Sequence, residues 1–76
     1  LAVEVVSPSD RFDDVVEKVE EYLAAGVRLV WVALPRTKSI SVYHPNGEAK
    51  IVREDDELSG EDVLPGFVCP VKHIFA

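Results

Sequence analysis

Glu4 is the residue that most demands a chemical explanation. It stands in Leu1-Ala2-Val3-Glu4-Val5-Val6, one carboxylate among five apolar side chains. An ionised carboxylate in apolar surroundings is costly unless it is paired, hydrated or bound to a metal. Lys18, on the acidic stretch that follows, offers an ammonium. A carboxylate with an ammonium beside it can hold a cation and steady a negative charge that develops during reaction. Each residue also has a plainer reading. Glu4 can be a structural carboxylate paired with Lys18 or with a backbone N–H. Lys18 can be a border lysine in i,i+4 or i,i+3 pairs with Asp14 or Glu21.

The other reactive side chains point to less. Ser7 has no histidine near it in sequence and reads as a turn residue. Cys69 and His73 are spaced like half a metal site, but His44 is the one further Cys or His in the chain. Structural zinc takes about four such ligands, so a zinc centre is not expected. No glycine-rich phosphate loop or nucleotide fingerprint is present. Asp55-Asp56-Glu57 reads as a solvated loop, and Tyr22 and Trp31 read as core.

The elements that must position Glu4 and Lys18 follow from local pattern. Residues 1–6 alternate Leu1/Val3/Val5 against Ala2/Glu4/Val6, mainly apolar on both sides, which predicts a strand covered on two faces. Pro8 stops it. Ser9 or Asp10 is expected to cap a helix over about residues 10–25, with Asp13 and Asp14 at its positive end. Phe12, Val15, Val16, Val19, Tyr22 and Leu23 form its apolar stripe, Lys18 sits at the stripe's border, and Gly26 ends it. A second buried strand is expected over residues 28–34, parallel to the first through a right-handed crossover. Pro35-Arg36-Thr37-Lys38 turns the chain into a strand at 39–44, and Pro45-Asn46-Gly47 turns it again into 49–53. Residues 54–62 read as a loop with one short extended piece, Leu64–Phe67 as a turn, and residues 71–75 as a short closing segment.

The chain has 76 residues, enough for one small domain, and its 47% apolar content supports a folded core. The net charge is −6. Residues 9–25 carry six acids and two bases, residues 26–53 one acid and five bases, and residues 54–62 six acids and no base. Such an acidic chain is not expected to bind nucleic acid on its own over long range, and the basic residues Arg28, Arg36, Lys38, Lys50 and Arg53 are spread rather than clustered. One cysteine excludes an internal disulfide and fits a reducing cytoplasm. No run suits a membrane span or a secretory leader, so a cytoplasmic protein without membrane partners is expected. The chain opens at Leu1 rather than a methionine, from which upstream residues are expected to have been lost or left out.

Taken together, Val3-Glu4-Val5-Val6-Ser7-Pro8-Ser9, Lys18 and Tyr22 on the next helix, Gly26-Val27 before Trp31-Val32, and Leu64-Pro65-Gly66-Phe67 resemble the Uma-two family. Its members are endonucleases of the restriction-endonuclease-like, PD-(D/E)XK superfamily, and the resemblance covers what looks like the C-terminal half of a member. It implies a mixed α/β sheet with a β-α-β-β-β core, truncated on its N-terminal side, so that residues 1–76 form a single partial domain. It also implies a divalent ion, Mg²⁺ or Mn²⁺, with Glu4 as its acidic ligand, and DNA as a substrate. Val6 occupies the motif's usual lysine position, so Lys18 would supply the lysine from the helix, and the catalytic residues would be Glu4 and Lys18.

Two positions depart from the family pattern. No Pro-Asp pair, which in the family carries the other metal-binding Asp, occurs in the sequence. Leu34 stands before Pro35 where members usually carry Asp, a difference expected to alter only a turn. A nuclease-family chain with little or no activity of its own is therefore expected. The alternative is a non-catalytic module that uses the fold core to join chains. With the preceding strands missing, the strand at 1–6 would expose an apolar edge, and a homo-oligomer formed through it is expected.

Overall fold

The computed structural model describes residues 1–75, in the order β1 (Ala2–Val5), α1 (Phe12–Ala24), β2 (Val30–Leu34), β3 (Ser39–Tyr43), β4 (Ala49–Val52), β5 (Glu57–Ser59), β6 (Val68–Pro70) and α2 (Val71–Ile74). The first four strands form one mixed sheet in the order β1-β2-β3-β4. β1 runs parallel to β2, with Glu4 opposite Val32, while β2–β3 and β3–β4 are antiparallel. The expected mixed β-α-β-β-β sheet is what the chain forms, with a β5–β6 hairpin added. Residues 68–70, which carry no strand signal of their own, pair with the short extended piece at 57–59.

Alternation along the strands divides the core in two. On one face Val30 and Val32 pack with Val19 of α1, flanked by Ala2, Val6, Val15, Tyr22 and Leu23. On the other, Leu29, Trp31, Ile40, Val42 and Val52 pack with Leu58 and Val71, so β5 and α2 close that side. The Trp31 and Phe67 rings lie 5.6 Å apart, and Val71 N–H donates to Asp56 O at 3.0 Å. His44, beyond β3, meets both oxygens of Glu61 at 2.9 Å and ties the main sheet to the hairpin. The helix crosses the sheet between two parallel strands because β1 and β2 must enter from the same end.

The ends of α1 have separate causes. At its C-terminus Gly26 takes φ +93°. Gly26 N–H donates to Leu23 O, and Val27 N–H to Tyr22 O, so carbonyls of the last turn are satisfied and the helix stops. At its N-terminus the expected cap does not form. Arg11 holds the cap position without a side-chain hydrogen bond. Asp10 is committed to the preceding turn instead: its carboxylate accepts Ser7 N–H at 2.8 Å and its N–H donates to Ser7 O.

Two burial expectations are corrected. β1 is covered on one face only: Leu1, Val3 and Val5 are exposed, Val5 at 65%. Phe12, placed in the apolar stripe by its spacing, is 76% exposed. Helical spacing fixes the side of a helix on which a residue lies, but not how far the sheet beneath it extends. No helix among the described residues is long and apolar enough to cross a membrane.

Candidate functional site

Glu4 belongs to the alternation that sends Ala2, Glu4 and Val6 toward α1. Opposite it, Lys18 and Tyr22 stand one helical turn apart on α1 and share a face. The two carboxylate oxygens have different partners. Tyr22 Oη donates to Glu4 Oε1 at 2.5 Å, and Lys18 Nζ lies 3.9 Å from Oε2. The Glu4 side chain is 23% exposed, that of Lys18 61%. Lys18 therefore does part of what its border position allows: its ammonium reaches across to the strand while the side chain stays largely exposed. No ion pair with Asp14 or Glu21 forms within 4 Å.

The hydrogen bond to Glu4 is the main reason that the Tyr22 hydroxyl is held above its ordinary tyrosine pKa. The negative charge of Glu4 adds to it, followed by partial burial and by the charge of Glu21. A tyrosinate here would lose its donated hydrogen bond and face a carboxylate. Tyr22 is expected in the core from its spacing, and its hydroxyl is the part that pattern reasoning missed. The available signal was its i,i+4 spacing from Lys18 together with the polar tip that a half-buried tyrosine must satisfy.

Glu4 and Lys18 open onto a small cleft shared with Asp10 and Asp14, about 30 Å³ in volume and roomy enough for a water molecule or a small ion. Asp10 reaches it because of the Ser7–Asp10 turn, and Asp14 lies one turn before Lys18. Pattern reasoning finds helix-start roles for these two acids and, for Asp14, a pair with Lys18. No group of three or more carboxylate, imidazole or thiol side chains that could hold a metal occurs among the described residues. Residues 1–75 thus offer Glu4 as an oxygen ligand without completing a divalent-metal site, which wants several converging oxygens. His44 is engaged by Glu61, and Cys69 and His73 do not gather into a metal cluster either.

Comparison with known proteins finds similarity to a family and to a solved structure. The model of the Uma2 family, described as "Putative restriction endonuclease", matches residues 1–72. The crystal structure of a "putative nuclease belonging to DUF820" from Anabaena variabilis superposes with a TM-score of 0.86 at 20% sequence identity. The match covers 96% of this chain and 41% of the other, so the chain spans less than half the length of that protein. No curated protein matches.

Proposed function

The chain belongs to the Uma2 family, and on that premise we propose that the Glu4–Lys18–Tyr22 cluster is part of a metal-dependent phosphodiesterase site acting on nucleic acid. The cluster itself carries this reading: a carboxylate on a strand, held from the neighbouring helix by one neutral donor and one cation. Glu4 serves as an acidic ligand for Mg²⁺ or Mn²⁺. The second acid comes from outside residues 1–76, from further chain or from a second copy. Tyr22, by holding Oε1, fixes the carboxylate's orientation and leaves Oε2 toward the cleft. In this reading the Lys18 ammonium stabilises negative charge growing on a phosphoryl group.

Because the ligand set is incomplete, little or no hydrolysis is expected from the chain alone. The test is to titrate Mn²⁺ into wild type and Glu4→Ala, reading the free-ion resonance signal, alongside incubation of both with supercoiled plasmid. Weaker Mn²⁺ binding by the variant, and Glu4-dependence of any nicking, support the reading. Equal binding, or nicking that survives the substitution, would remove Glu4 from the site.

A second reading, a module that joins chains, is favoured by one observation. β1 is an edge strand among the described residues, and Val3 and Val5 beside that edge are exposed. Unpaired backbone groups next to apolar side chains make a template for another strand. The two readings are compatible if the joined chain brings the missing acid.

A further inference from the structure

The depression at the Glu4–Lys18 pair continues across the molecule. Val6, Asp10 and Val15 line both the cleft at that pair and a second hollow beneath Phe12. Phe12, Leu34, Ser41 and Tyr43 in turn line that hollow and a broad trough of about 680 Å³, whose far wall carries Lys50 and Arg53. One path thus crosses the sheet from β1 to β4. Three strand spacings make this about 14 Å.

The chemistry changes along the path. The β1 end is acidic, with Glu4, Asp10 and Asp14 around Lys18. The middle presents Phe12, the most exposed large apolar side chain among the described residues. At the β4 end Lys50 and Arg53 enter no ion pair among the described residues. The fold has therefore drawn Arg53, one of the scattered basic residues, to the far end of the depression that begins at the candidate site, while Lys50, paired with Val42, alternates to the other face of the sheet. Exposed aromatic rings beside free cations suit bases that stack and phosphates that pair.

We propose that this trough, taken with the nuclease reading on which the proposal rests, holds a single-stranded segment of nucleic acid, one base stacked on Phe12 and a phosphate on Arg53. Stacking on Phe12 needs a base whose face is free, which a closed duplex does not present. The overall charge of −6 opposes approach, so binding is confined to low salt.

The experiment is fluorescence anisotropy of a labelled oligothymidylate about ten nucleotides long, in chelator and without metal, so that it reads binding and not cleavage. Wild type is expected to bind at low salt and to prefer the oligothymidylate to a duplex of the same length. Phe12→Ala is expected to weaken binding between about fivefold and about a hundredfold. Arg53→Glu is expected to flatten the dependence on log salt by about 0.7 for each phosphate left without its cation. Both side chains are exposed, and circular dichroism checks that the variants remain folded. No binding by folded wild type, or binding indifferent to both substitutions, overturns the proposal. Glu4→Ala with intact oligothymidylate binding but unchanged Mn²⁺ affinity would instead sink the nuclease reading and leave the trough standing.

Discussion

Tyr22 on α1 and Glu4 on β1, eighteen positions apart in sequence, share a hydrogen bond of 2.5 Å. The bond fixes the helix against the edge strand at the point where Lys18 also arrives. It turns a costly carboxylate in an apolar strand into one end of an ordered pair.

That pair should be visible in an alkaline titration. The hydroxyl's pKa is raised in the folded protein, so the pair's contribution to stability is fully present below the unfolded tyrosine value of about 10 and is lost as pH rises through the higher folded value. In a Tyr43→Phe background, where Tyr22 is the single tyrosine, absorbance near 295 nm (a wavelength on the order of that at which tyrosinate absorbs) should report late ionisation. Glu4→Gln should bring it earlier, and an unchanged titration curve would dissociate the two residues.

Lys18 and Tyr22 should separate stability from function. Lys18→Gln removes a largely exposed pair at 3.9 Å, so urea unfolding should change by less than about 0.5 kcal/mol. Tyr22→Phe should lower the urea midpoint more, because Glu4 keeps its partial burial and loses its donor. A larger loss from Lys18→Gln than from Tyr22→Phe would contradict this order.

The two-sided core makes the small domain vulnerable. Leu29 is fully buried, and Leu29→Ala should cost about 2–5 kcal/mol. For 76 residues the whole stability is of the order of 4–11 kcal/mol. Thermal denaturation of this variant should therefore show a midpoint lowered by roughly 4–8 °C for each kcal/mol lost.

Gly60 is fixed by space. A Cβ there would lie 2.4 Å from Leu64 O and 2.7 Å from Leu64 Cβ, within the loop closed by Leu64 N–H to Gly60 O. Backbone cannot yield as a flexible side chain does, so Gly60→Ala should destabilise by about 1–3 kcal/mol. Wild-type stability in the variant would show that the loop relaxes freely.

The exposed β1 edge should pair chains. Light scattering at micromolar concentration is expected to give a dimer or larger species. Val5→Lys, at a position already 65% exposed, should return it to monomer with its circular dichroism spectrum intact. A monomeric wild type would leave the edge without that role.

Local chemistry carried much of the fold. Alternation in residues 1–6 and 39–43, helical spacing from Val15 to Leu23, Gly26 and Asn46-Gly47 each act within a few residues, so the strand-helix-strand start and the hairpin could be read directly. β6 could not: Val68-Cys69-Pro70 gains its strand character from pairing with β5, a partner outside any local window. The failed Asp10 cap has a local origin instead: Ser7, three residues earlier, competes for the same carboxylate.

The sequence by itself determined that Glu4 needed a partner, that Lys18 lay at the edge of an apolar stripe, and that the family's Pro-Asp pair was absent from these residues. Those facts depend on residue type and spacing alone. Only the tertiary structure decided which partner each oxygen of Glu4 took, that Val3, Val5 and Phe12 stayed exposed, and that Arg53 ended the path begun at Glu4. These outcomes depend on how far the sheet extends beneath the helix and which strands become neighbours, and chain order alone does not set either distance.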